Sequence, residues 1–291
     1  MTWIVLDCNF LCHRAFHSTG GLAHGGEPTG VLFGFFAELR RLEERFGTRR
    51  VVFAFDGGRG LRQEKHPYYK RARRTKERTP EEDVARAGML RQVDMLRAEL
   101  LPGLGYENVR WHDGYEADDQ VAAAVRTLTL TTEAEAVVVS ADKDLYQLLG
   151  RRVALYNPAK PGGQIYTARD FKAEYGLHPS QWPIVKAIAG CPTDEVPGVP
   201  GVREATAARW LMGSLPAGKK KSDIDSHVLS KQHIDNLELV RLPYPGTPAA
   251  PVVDHPPPSA AAWDALCRRF GFASLAGGAD ARRPLNRGRR G

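Results

Sequence analysis

Hydrophobic positions fall along this chain in two alternating styles. Short unbroken apolar runs, Thr2–Leu6, Val51–Phe55 and Ala136–Val139, have the length and β-branched content of strands buried on both faces. Between and after them, apolar residues recur at helical spacing. Leu32, Phe35, Phe36, Leu39 and Leu42 define a helix over 31–46, and Val121, Ala124, Val125 and Leu128 define another opening at Glu116. Thr79 as N-cap, Pro80 at the first helical position and Glu82 at the third predict a helix from 80 to about 101. A short helix follows the first strand around Phe10–Phe16, and Leu145, Leu148 and Leu149 resume helical spacing after the third. Weaker strands are expected at 106–111 and 152–156, with helices at 167–175, 179–189, 204–211 and 260–270. Residues 20–30, 217–222 and 244–259 read as loop, the last rich in proline. Strands separated by helices predict an α/β fold with a parallel sheet.

The acids change the picture most. The three apolar runs end at Asp7, at Asp56, and at Ser140-Ala141-Asp142-Lys143-Asp144. Strand carboxyl ends share one edge of a parallel sheet, where open α/β sheets place their ligands. If the chain stays extended, the spacing of Asp142 and Asp144 puts both carboxylates on one side. One of them capping the next helix is the simpler alternative, and it accounts for only one aspartate. Glu116, Asp118 and Asp119 add three acids in four positions at a helix start, more than capping needs. Two carboxylates about 4 Å apart repel by roughly 4 kcal/mol at an effective dielectric of 20, so such a set calls for cations. An all-carboxylate set suits Mg²⁺ or Mn²⁺ and suits zinc poorly. Two such ions can activate water and stabilise the leaving oxygen in phosphodiester cleavage.

Composition narrows the partners. The chain has 291 residues, 42% of them hydrophobic, enough for one large or two moderate domains. No apolar run approaches a membrane span, and the first residues read as a strand, not as a secretory signal. Cys8, Cys12, Cys191 and Cys267 form no disulfide framework or CxxC pair, which points to a reducing, cytoplasmic protein. Net charge is +7, and nine Lys/Arg against Glu64 and Glu77 put that same surplus within 59–78. A basic segment beside an acidic cleft suggests a polyanion held by one and metal by the other. The turn-rich stretch 190–202 is either an ordinary helix–helix turn or a hairpin aiming backbone N–H groups at a phosphate.

In order, VLDCNFLCHRAF, VVFAFDG, YEADDQVA, VVVSADKDLYQL and GCPTDEVPGVPGV resemble the motifs of the 5′-nuclease family. That family comprises the 5′→3′ exonuclease/flap endonuclease domain of bacterial DNA polymerase I and stand-alone phage exonucleases. The resemblance spans about 2–275, including a closing FGFASL. It implies a PIN-like nuclease domain over 1–165 with a basic arch at 59–80, and a helix–three-turn–helix DNA-binding module over 166–240. A Pro-rich segment with a closing helix (241–278) and a disordered basic tail (279–291) would follow. It assigns Asp7, Asp56, Glu116, Asp118 and Asp119 to a first metal cluster and Asp142, Asp144 and Asp194 to a second. YYKRAR resembles the arch motif, which places Tyr69, Lys70 and Arg73 at the DNA end, with Arg62 a further basic contact. Of these, Asp7, Asp56, Asp142, Lys70 and Arg73 carry the catalysis. Gly198, Gly201 and Arg203 fall in the DNA-binding hairpin.

The chain departs from the family twice: Cys191 stands where an Asp is usual, and Arg203 replaces a hairpin Gly. The first departure implies a second ion weakly held. The implied function is metal-dependent cleavage near 5′ ends or flaps of DNA, RNA primers and RNA–DNA hybrids included, by a monomer away from membranes. A weak or inactive structure-specific DNA-binding protein and an RNA-cleaving PIN-type nuclease are the competing readings.

Overall fold

The computed structural model describes residues 1–276 except 59 and 132. Thr2–Asp7 (β1) is the central strand, and Asp7 ends it while capping helix α1 (Cys8–Thr19). A two-residue hairpin, β2 (Ala23–His24) and β3 (Glu27–Pro28), lies within the stretch expected as loop. Then come α2 (Gly30–Phe46) and β4 (Val51–Ala54), followed by the short helices α3 (Leu61–Lys65) and α4 (Arg71–Thr75). Helix α5 (Pro80–Met95) starts in a complete Thr79–Glu82 capping box and runs on through a π turn (Leu96–Leu100) into α6 (Leu101–Gly103). Strand β5 is only Val109–Arg110, shorter than expected. After α7 (Ala117–Thr131) and β6 (Glu135–Val139), Lys143–Leu148 forms a 3₁₀ helix in place of the expected α-helix.

The antiparallel pair β7 (Val153–Asn157) and β8 (Gln164–Tyr166) leads into α8 (Ala168–Tyr175), a 3₁₀ turn (Pro179–Gln181) and α9 (Trp182–Ala189). Next are α10 (Glu204–Leu211), α11 (Lys219–His227), α12 (Lys231–Val240) and α13 (Ala260–Phe270). The lysine-rich stretch expected as loop opens α11 instead. The expected basic tail at 279–291 lies outside the described residues.

The sheet order is β5-β4-β1-β6-β7-β8, parallel except for edge strand β8. Alternation along the strands divides the core. Ile4, Leu6, Val51 and Phe53 face α1, α2, α5 and α13, whereas Trp3, Val5, Val52 and Ala54 face α7, α9 and α10. Both faces are covered by helices, as a parallel sheet requires. Asp7 pairs in register with Ala54, and Leu6 with Val139. The ends of β1, β4 and β6 therefore lie side by side and deliver Asp7, Asp56 and Asp142 to one rim.

Candidate metal centre and nucleic-acid interface

At this rim, two polar side chains and three backbone N–H groups hold the carboxylates in place. The Phe10 N–H donates to Asp7 Oδ1 at 3.0 Å, and the buried Ser140 hydroxyl donates to Asp7 Oδ2 at 2.8 Å. Asn9 clamps Asp56 from both sides, donating to Oδ2 at 2.7 Å and accepting from the Asp56 N–H at 3.0 Å. The Ala117 N–H donates to Asp56 Oδ1 at 2.7 Å, which ties the start of α7 to the end of β4. Asp142 accepts from the Asp144 N–H at 2.8 Å, so it caps the 3₁₀ helix while presenting its remaining lone pairs to the rim.

Burial is the largest influence on these acids. It pushes Asp7 up to about 7, and it raises Asp118 well above the carboxylate range, aided by the charges of Asp142 and Asp7. Asp56 is raised for the same first reason. No Lys or Arg forms an ion pair with Asp7, Asp56, Asp118 or Asp142 among the described residues. Oxygen donors that raise one another's pKa and have no paired cation offer the chemistry that a hard divalent ion takes.

Glu116 behaves differently. Burial works against its charge, yet Lys70 and Arg62 outweigh that and hold its carboxyl below the usual range. Lys70 Nζ lies 2.7 Å from Glu116 Oε1, and the Tyr69 hydroxyl donates to Oε2 at 3.0 Å. Arg73 pairs with Asp194, and Glu195 accepts from the Ala72 N–H. In this structure the basic segment is folded onto the acids. Tyr69 is 4% exposed and packs with Ala187, Val196, Leu239 and Val240. Tyr69 is thus not presented for stacking on a base.

Two expected contacts are corrected outright. Arg62 is 2% exposed and grips Asp119 through both terminal nitrogens, at 2.6 and 2.8 Å, while its Nε donates to the Leu239 carbonyl and its plane lies over Tyr244. It has no face left for DNA. Asp119 is fully buried and accepts four hydrogen bonds, two from Arg62 and one each from the N–H groups of Glu116 and Tyr244. All four of its lone-pair sites are filled, so it organises the centre and does not ligate metal.

The second group forms around Asp144, Cys191 and Asp194, whose ligand atoms lie within 4.8 Å of one another. Burial, with help from Asp142, raises Asp144 to about 6. Lys186, which the sequence analysis passed over, reaches this group from α9. Its Nζ lies 3.0 Å from Asp144 Oδ1, an ion pair without hydrogen-bond alignment, since that oxygen has no hydrogen-bond partner. Ser140, Asn9 and Tyr244 were also passed over. A polar residue two positions after Asp7 and another before Asp142 were the available signals.

In the stretch between α9 and α10, Gly198 packs inside the turn. A Cβ there would meet the Ala189 carbonyl oxygen at 2.2 Å, so close packing requires a glycine at this position. Gly201 sits at φ 72 with open space around it, and Arg203 is exposed. The Val199 N–H donates to the Ile188 carbonyl at 2.8 Å, and Asn236 of α12 donates to the carbonyls of Ala187 and Pro197.

An α/β sheet whose parallel strand ends gather carboxylates under a basic segment offers one rim suited to cations and to a polyanion. Residues 2–176 match the family model described as 5′-3′ exonuclease, N-terminal resolvase-like domain. The chain belongs to this 5′-3′ exonuclease family and is a nuclease, as the sequence motifs implied. DNA polymerase I of Mycobacterium tuberculosis is 34% identical over 253 residues, 82% of this chain and 24% of that protein. The thermostable DNA polymerase I of Thermus aquaticus is 33% identical over 246 residues, 81% of this chain and 27% of that protein. The chain thus spans about a quarter of the length of these relatives. Among solved structures, the phage T5 D15 protein co-crystallised with metal ions superposes with a TM-score of 0.69 at 20% identity, covering 84% of this chain and 90% of that one. The catalytic core of Rad2 in complex with a DNA substrate gives 0.57 at 16% identity, covering 92% and 87%. These likenesses agree with the α/β fold expected from the sequence.

Proposed function

We propose that this chain is a divalent-metal-dependent 5′→3′ exonuclease and flap endonuclease that cleaves near 5′ ends of DNA or of RNA primers, working as a monomer in the cytoplasm. The carrying observation is the group Asp7, Asp118 and Asp142, whose charges act on one another, which has no ion pair among the described residues and which lies near Lys70. These three carboxylates, with Glu116 and Asp56 beside them, would hold Mg²⁺ or Mn²⁺. Such an ion polarises a phosphoryl oxygen and lowers the pKa of bound water.

The protein's own residues do the rest. Ser140 and Asn9 fix the Asp7 and Asp56 carboxylates. Lys70 and Arg73 exchange Glu116 and Asp194 for phosphate oxygens when a strand arrives, which places two positive charges where charge develops. Gly201 and Arg203, in the turn between α9 and α10, would meet the duplex backbone as part of a helix–three-turn–helix module. The DNA substrate bound by the Rad2 core supports a DNA partner for this fold.

The test is product analysis on matched DNA and RNA flaps with labelled 5′ ends, after chelation and return of Mg²⁺ or Mn²⁺. Metal-dependent release of 5′ fragments from the DNA flap is expected. Affinity without cleavage would mark a binding protein, and cleavage of RNA alone would mark an RNA-directed nuclease.

A further inference from the structure

The two carboxylate groups differ in how their charge is balanced. Asp7, Asp56, Asp118 and Asp142 have no cation paired with them among the described residues. Asp144 and Asp194 each have one, Lys186 and Arg73. Those two cations are unlike each other. Arg73 lies on α4 with 59% of its side chain exposed, so a nucleic acid can draw it away. Lys186 is 8% exposed, rises from the middle of α9 and forms ion pairs with Asp144 at 3.0 Å and Glu204 at 3.6 Å.

The same helix ends at Gly190 and is followed at once by Cys191. One short stretch of chain therefore supplies this group with a permanent positive charge and with a thiol, a soft donor that hard ions bind poorly. Both features act in the same direction. A divalent ion entering between Asp144 and Asp194 would find one oxygen donor fewer than an all-carboxylate set offers. It would also meet a buried ammonium already paired with Asp144.

We propose that Lys186 is the resident cation of the second carboxylate group. The protein then binds one divalent ion tightly, on the Asp7, Asp118 and Asp142 side, while Lys186 neutralises and positions Asp144 where a second ion would otherwise sit. Lys186 is a positioning residue, since it acts through Asp144. The inference rests on the metal-dependent nuclease reading and refines its second, weakly held ion into a built-in charge.

The experiment counts Mn²⁺ bound to the full chain without DNA, by isothermal titration and by the electron paramagnetic resonance signal of the free ion. The proteins are the wild type, Lys186→Met, Lys186→Arg, and Lys186→Met combined with Cys191→Asp. The wild type is expected to take up a single tight ion. Lys186→Arg keeps the charge and should match it. Lys186→Met should bind a second ion at least about tenfold more tightly than the wild type does, and the double variant should take up two tight ions. Lys186→Met leaves Asp144 without its cation, so its metal-free melting temperature should fall and Mn²⁺ should raise it more than it raises the wild type. Two equivalent ions on the wild type, or a Lys186→Met variant whose titration and melting response match the wild type, would overturn the assignment alone. A wild type that binds no Mn²⁺ would overturn the metal-dependent reading and the assignment with it.

Discussion

Removing divalent metal should make this protein's stability fall as pH rises from about 4 to about 7, and returning the metal should abolish that fall. The perturbation is chelation. The groups responsible are Asp7, raised from 3.8 to about 7, and Asp118, raised well above its ordinary value, both first by burial. Asp56 and Asp144 move in the same direction. A carboxyl whose pKa is raised by folding binds more protons in the native state than in the unfolded chain between those two values. Native stability is therefore greatest below the unfolded value and is lost as pH rises through the folded one. For Asp7 alone the loss is roughly 4 kcal/mol across that range. That is a large share of the 5–15 kcal/mol typical of a folded domain.

His13 and His233 oppose this trend, because burial depresses both and their contribution grows as pH rises through about 6.5. Their effect is the same with and without metal, so it cancels in the difference. Urea unfolding followed by the fluorescence of buried Trp3, Trp182 and Trp263, in chelator and in millimolar Mg²⁺, measures that difference. Metal-dependent stabilisation should be small near pH 5 and should grow by several kcal/mol toward pH 8. Parallel pH profiles with and without metal would refute the reading of the rim as an unpaired acidic cluster.

Further outcomes follow from the corrected contacts. Arg62→Met should destabilise by about 3–5 kcal/mol in urea, because it strands the buried Asp119 carboxylate, and pairing it with Asp119→Leu should recover much of that loss. Replacing both Lys70 and Arg73 with Ala should slow single-turnover cleavage of a 5′ flap. It should also flatten the log–log salt dependence of single-strand binding by about 0.7 per lost phosphate contact, measured by fluorescence anisotropy.

The legible parts of the fold were those governed by burial of apolar side chains. Val51–Ala54 and Glu135–Val139 announced themselves because a strand covered on both faces can accept little but apolar residues. The acids at their ends were legible because parallel strands end at one edge, whatever the details of packing. α11 and α12 were hidden because each buries few apolar residues and leans on polar contacts as well. α11 buries only Ile224, and α12 is held through Asn236 to the carbonyls of Ala187 and Pro197. Asp119 misled for a related reason. Its neighbours in sequence are acids, but its charge is matched by Arg62, 57 positions away. Lys186 left a signal that went unused, a lone charge in the apolar helix Trp182–Ala189.

The central claim is that the rim carboxylates serve chemistry, while the basic segment and the α9–α10 turn serve binding. Asp142→Asn separates the two, because it removes a carboxylate charge from the rim and leaves Lys70, Arg73 and Arg203 untouched. Single-turnover cleavage of a 5′-flap DNA, measured beside the affinity for the same flap, is the decisive comparison. The account predicts a fall in cleavage rate of at least about a hundredfold with affinity within about threefold of the wild type. A variant that loses affinity and cleavage in equal proportion, or one that keeps cleaving at the wild-type rate, would contradict it.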